Sequence, residues 1–202
     1  MPQTSGDMCI ACQRSQGSTA LKELRSNDPN YRSVISTFVD NWQAAGQAPR
    51  VQKILEVNLS RKGRNGYEAY RKYLERRAPP SEFSTFHSSQ CVCDLGTKPS
   101  QQLCEYPSCG LCSAVRSNFT KFAFEAPHNV GSYGPGVYSY TNSARADKHA
   151  TSCTTSPYRA MILCSVLIGK PPTKKSVVEG ETVAVVDAEA IIPTHIILYS
   201  SS

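Results

Sequence analysis

The stretch Gly134–His149, GPGVYSYTNSARADKH, sets two glycines before a tyrosine and follows them with small residues that read as a helix start. Gly134 and Gly136 let the backbone approach a ligand closely, and Tyr138 follows at once on what reads as a strand. Alone, the pattern is also that of a plain turn followed by a strand with a core aromatic. Its neighbours along the chain give it weight. Upstream, Thr85-Phe86-His87-Ser88-Ser89 puts a histidine at the end of a strand among small hydroxyl residues. Downstream, Glu179-Gly180-Glu181-Thr182-Val183 puts carboxylates at the mouth of an apolar strand.

The periodicities around this core alternate irregularly. Asp28-Pro29 starts a helix in which Val34, Phe38 and Trp42 recur until Gly46. Val51–Leu59 reads as a strand, Lys62–Gly66 as a turn, and Tyr67–Arg77 as a helix that Pro79-Pro80 ends. Phe83–His87 is a short strand running into a cysteine-rich loop. Ser108 caps a short helix carrying Leu111, Val115 and Phe119, and 127–136 is an irregular connection. Three strands, Ala160–Ile168, Thr182–Val186 and Ile196–Tyr199, close the chain. This order favours an α+β fold over regular βαβ alternation.

The succession of a strand histidine, Gly-x-Gly-x-Tyr with a small-residue helix, and a glutamate opening a late strand resembles the H-Y-E type of ADP-ribosyltransferase, the poly(ADP-ribose) polymerase-like catalytic domain. More narrowly, F-H-S-S-x-C-x-C-D-L-G, the cysteine loop, Y-G-P-G-V-Y, A-D-K-H, V-L-I-G-K and E-T-V with A-I-I-P-x-x-I-I-L-Y look like its small cysteine-bearing fungal members. The resemblance covers roughly residues 50–202, leaving 1–49 as an N-terminal helical extension whose Trp42-bearing helix packs on the catalytic domain. It implies a split, mostly antiparallel sheet with peripheral helices, with NAD lying across the split. His87 would donate to a ribose hydroxyl, and the backbone of Ser88, where the family usually has glycine, would pair with the nicotinamide amide. Gly136 would lie close to the ligand, and Tyr138 would stack on the pyridinium. Glu181 would bind the 2'-hydroxyl of the nicotinamide ribose and offset the charge that develops as the glycosidic bond opens.

Several positions depart from the family. His149 stands where a second tyrosine is common, and Ala146 where a serine contacts the nicotinamide amide. Only eleven residues separate Gly169 from Glu181, and Glu181 to Pro193 is about one residue long, so Glu179 is a rival for the carboxylate role.

Cysteines make a second constellation. Cys93, Cys104, Cys109 and Cys112 read C-x10-C-x4-C-x2-C, which suits a tetrahedral structural zinc, with free buried thiols as the alternative. Cys91 could replace Cys93. Cys9-x2-Cys12 is a pair with no visible second half, and Cys153 and Cys164 read as interior residues.

Net charge is +6, and residues 50–77 supply all of it, with nine Lys/Arg against three Glu. This segment is either a solvated helix face or a surface for acidic protein or nucleic acid. No membrane partner is expected, because the longest nearly apolar run, Ala160–Gly169, is about half of a membrane span. The odd, high cysteine count and the absence of an apolar leader fit a cytoplasmic or nuclear protein. The expected function is NAD-dependent transfer of ADP-ribose to a protein or nucleic-acid acceptor. The alternatives are an NAD glycohydrolase, a catalytically inactive zinc-stapled module of the same fold, and a zinc-dependent nucleic-acid binder.

Overall fold

The computed structural model of the chain describes residues 17–152 and 156–200. Its elements run β1 (Ala20–Glu23), α1 (Pro29–Asp40), β2 (Arg50–Asn58), α2 (Arg61–Glu75), β3 (Ser81–His87) and α3 (Gly110–Ser117). They continue with β4 (Asn129–Gly131), β5 (Gly134–Tyr140), α4 (Ser143–Asp147), β6 (Arg159–Ile168), β7 (Ser176–Glu179), β8 (Thr182–Val185) and β9 (Ile191–Ser200). The class is α+β. Eight strands lie in the order β1-β2-β9-β6-β3-β5-β8-β7, β4 pairs with β5, and every ladder is antiparallel.

Side-chain alternation decides which helix covers which face. Met161 and Leu163 of β6, with Ile197 and Tyr199 of β9, meet Val34 and Phe38 of α1. Ile162, Cys164 and Val166, with Ile196 and Leu198, meet Leu111 and Val115 of α3. Strands covered on both faces are apolar almost throughout, which is why RAMILCSVLI takes the sheet's centre. Trp42 packs 5.4 Å from Phe38 and 6.5 Å from Tyr199 by ring centroid. Residues 20–49 therefore share the core of the sheet, with β1 extending it at the edge.

Some local expectations do not hold. The Lys62–Gly66 segment is no turn but the first turns of α2: Ser60 caps it by accepting from the Gly63 amide at 3.2 Å. A β-carbon on Gly63 would sit 3.4 Å from Asn118 and one on Gly66 3.4 Å from the Glu189 side chain, ordinary contacts, so neither position requires glycine sterically. Helix α1 stops at Asp40, well before Gly46, where Asn41 turns its side-chain amide onto the Thr37 carbonyl at 2.8 Å. Phe119 lies beyond α3, because Asn118 and Phe119 both take left-handed backbone conformations (φ 52° and 61°). That turn drives the Phe119 ring into the core. The connection before Gly136 contains β4, and β9 begins at Ile191, passing Pro193 at a register shift opposite Leu163/Cys164.

Candidate functional site

Between β3 and β5 the sheet is joined by one residue pair, Phe86 opposite Tyr140. Beyond it the two strands part, and a cleft of about 540 Å³ opens. Its walls come from His87–Gln90 after β3, from the β4–β5 hairpin, and from Tyr138, Tyr140, Arg145, His149 and Thr182.

His87 is 3% exposed and packs edge-on against Phe119, with Phe122 beside Phe119 at 6.0 Å from the imidazole. Its Nδ1 lies 2.7 Å from the Tyr138 carbonyl, which can only accept, so Nδ1 carries the proton. Burial pushes the imidazole pKa down to about 4, so it is neutral and Nε2 presents a lone pair. Toward a ribose hydroxyl this nitrogen would accept, the reverse of the donation expected above. The Nε2 atom, Ser88 Oγ and Thr85 Oγ1 are all buried without a hydrogen-bond partner. His87 and Ser88 line the cleft, while Thr85 is enclosed in the sheet opposite Cys164; the two unpartnered atoms at the cleft are costly unless a ligand meets them.

Tyr138 ties down the β4–β5 hairpin. Its hydroxyl donates to the Gly134 carbonyl at 2.6 Å and accepts from the Tyr133 amide at 3.0 Å. The Tyr133 ring lies nearly parallel to it (18°), centroids 6.5 Å apart. Gly131 leaves room for this ring, since a β-carbon there would fall 2.6 Å from it. Deeper in the wall, Tyr140 and His149 stack at 5.4 Å and 5°, joined by a 3.1 Å hydrogen bond between the hydroxyl and Nε2. Arg145 places its guanidinium 5.2 Å over Tyr140.

Glu181 stands at the margin. Its carboxylate accepts from Asn142 Nδ2 at 2.7 Å and pairs with Arg145 at 3.4 Å, and its backbone carbonyl accepts from Thr141. Glu179 does not line the cleft; its carboxylate lies near the Tyr133 phenol and raises that group's pKa. Three residues expected at the site do not line the cleft: Glu181, which stands just outside it next to Thr182, and Gly136 and Ala146. Gly136 is buried against β8, where a β-carbon would lie 2.8 Å from the Val185 carbonyl, so close strand packing is what demands glycine. Ala146 is fully buried in the core with Phe86 and Met161.

Asn142, Arg145 and Tyr133 were not among the residues singled out from the sequence. Asn142 had a legible signal, as the polar residue before a run of small helical ones; its Oδ1 accepts from the Ala144 amide at 2.9 Å and caps α4. Arg145 then faces the cleft one turn on.

The sulfur atoms of Cys93, Cys104, Cys109 and Cys112 lie within 4.8 Å of one another. Cys93 Sγ is 3.9 Å from Cys109 Sγ and 3.7 Å from Cys112 Sγ. Four sulfurs bound at about 2.3 Å around a tetrahedral zinc are separated by about 3.8 Å, so the donor set and spacing fit that ion. These cysteines are free thiols, and the cluster could hold a metal ion. Cys91 Sγ lies 3.9 Å from Cys93 Sγ, beside the four but outside the set. Cys164 is a buried thiol whose pKa burial raises, while Cys9, Cys12 and Cys153 lie outside the described residues. The cluster also braces the cleft. Gly110, next to Cys109, packs on Ser89, and the Leu111 amide donates to the Gln90 carbonyl at 3.1 Å.

Among the described residues no helix is long and apolar enough to cross a membrane. No family model matches the chain, and no curated protein matches it.

Proposed function

We propose that the protein is an NAD-dependent ADP-ribosyltransferase of the H-Y-E type, with a structural zinc in its cysteine loop. The observation that supports this best is that His87, Tyr138 and Arg145 line one cleft where the sheet is interrupted, with Glu181 paired to Arg145 at its margin. Those residues come from segments far apart in the chain, in the order the resemblance requires.

In this reading Nε2 of His87 accepts from a ribose hydroxyl, and the loop after β3 offers Ser88 to the carboxamide. The aromatic wall of Tyr138 and Tyr133 suits the electron-poor pyridinium. Glu181 binds the nicotinamide ribose and faces the positive charge that grows at C1' as the C–N bond breaks. The bonding pair leaves with nicotinamide, which departs neutral and needs no proton. The acceptor's nucleophile then bonds to C1' and releases its own proton to solvent. Arg145 supplies a cation to the diphosphate and steadies the Glu181 carboxylate.

The test is nicotinamide release from millimolar NAD, followed by detection of ADP-ribose on protein or nucleic acid. Glu181→Gln is expected to lower release at least about 100-fold, the scale of losing one electrostatic contact to a transition state. Glu179→Gln is expected to lower it far less, since that carboxylate lies by the Tyr133 phenol. No release by the wild type overturns the transferase and glycohydrolase readings together, and free ADP-ribose alone moves the reading to a glycohydrolase. The closed Tyr140–His149 stack favours a non-catalytic module of the same fold as the second reading.

A further inference from the structure

Helix α2 turns Tyr67 and Leu74 inward onto Leu167. At 100° per residue the opposite side of the helix carries Arg61, Lys62 and Lys72, with Tyr73 on its flank and Arg76 and Arg77 just beyond its end. All six are exposed, and none of the five cations has a carboxylate partner among the described residues. Glu68 and Glu75 lie at one margin of this stripe. Tyr73 is the unusual member: it is 50% exposed, and the Arg77 guanidinium lies 6.0 Å from its ring centre. Lys175, near Tyr73, is ion-paired with Asp187 at 3.0 Å. The Tyr73 ring also meets Tyr70, centroids 6.2 Å apart, yet half of it stays open between Lys72 and Arg76 near the C-terminal end of the stripe, which a merely solvated cationic helix does not require. A cationic track with a stacking platform is what a flexible polyanion with flat bases needs.

We infer that this face of α2 binds single-stranded nucleic acid, with Tyr73 stacking a base and Arg61, Lys62, Lys72, Arg76 and Arg77 following the phosphates. The stripe is about 22 Å long at 1.5 Å per residue, long enough for several nucleotides. It is separate from the cleft. Helix α2 meets β3 at Glu82, which accepts from Tyr67, and His87 lies five residues, about 17 Å, further along that strand. The binding stands on this surface alone, while its use to dock an acceptor beside the cleft rests on the transferase reading.

The experiment is fluorescence anisotropy of the full chain with labelled 20-nucleotide single-stranded RNA and DNA across a salt series. The wild type is expected to bind, and Lys72→Glu with Arg76→Glu to lose at least about tenfold in affinity and about 1.4 in the slope of log K against log salt. Tyr73→Ala is expected to lose about 5-fold to 100-fold with the slope unchanged, and Tyr73→Phe to keep affinity. NAD cleavage and thermal stability should be untouched in all three. No binding by the wild type near 100 mM salt overturns the inference, as does binding insensitive to Tyr73→Ala or matched by an acidic peptide or anionic vesicles. Nicotinamide release is read separately, so loss of the transferase reading leaves this result standing.

Discussion

Asn142 holds Glu181 with one end of its amide and caps helix α4 with the other: Nδ2 donates to the carboxylate at 2.7 Å while Oδ1 accepts from the Ala144 amide at 2.9 Å. A single side chain thus sets both the start of the helix that carries Arg145 and the position of the carboxylate. Asn142→Asp keeps the cap and replaces the donor by a like charge. Asn142 is buried and its Nδ2 also donates to the Gln43 carbonyl at 3.2 Å, so we expect a loss of about 1–3 kcal/mol in stability and, well below the melting temperature, a fall in nicotinamide release of about tenfold or more. Unchanged release in this variant would detach Glu181 from the reaction.

The four thiols of Cys93, Cys104, Cys109 and Cys112 predict one zinc per chain on protein purified without chelator. Stripping the metal, or Cys112→Ser, should lower the melting temperature by about 10 °C, corresponding to roughly 3 kcal/mol for a chain of this size. Because the Gly110–Leu111 step is tied to Ser89 and Gln90, the cleft should lose NAD binding along with the metal. Elemental analysis showing no metal would remove the proposal outright.

His87 should remain neutral across the physiological range. Its folded pKa of about 4 lies below the ordinary value near 6.5, so the unfolded chain binds the extra proton first as pH falls. The contribution to stability is complete above about pH 6.5 and is lost as pH drops toward 4. An NMR titration of the His87 Cε1–H signal above about pH 5.5, where thiolate ligands keep their zinc, should show it holding its neutral position, and a midpoint near 6.5 would contradict the buried tautomer described above.

Asp147 fastens the end of α4 to the sheet by accepting from Arg159 Nε at 2.9 Å and from the Tyr199 hydroxyl at 2.5 Å. Burial, followed by the hydrogen bond to Asp147, raises the Tyr199 pKa. Asp147→Ala leaves both donors without this partner and is expected to cost about 1–3 kcal/mol in urea unfolding. Half-exposed Arg159 can turn to water, which limits the loss. A cost near zero would mean that Tyr199 finds another acceptor.

What could be read from the chain was whatever a short period or a local spacing encodes. The apolar β6, the Val34-Phe38 stripe and the C-x4-C-x2-C spacing each announce themselves within a dozen residues. Gly63 and Gly66 misled because the Ser60 cap and the packing of Tyr67 and Leu74 on Leu167 carry the helix through them despite their low helix propensity. Gly136 misled because its close neighbour is the Val185 carbonyl of β8, a contact made across the fold and silent in the local pattern. Tyr133 and Arg145 could not be ranked from the chain, since their importance depends on where a hairpin and a helix of five residues end up.

The lone Phe86–Tyr140 pair makes the sheet two ladders that share a single rung. One ladder, β1-β2-β9-β6-β3, carries most of the core; the other, β5-β8-β7 with β4, is short and hangs from α4. Amide exchange should therefore fall into two groups, with the smaller ladder opening at lower free energy. A ligand spanning the gap would act as the missing rungs, so saturation should merge the two groups and make unfolding a single event.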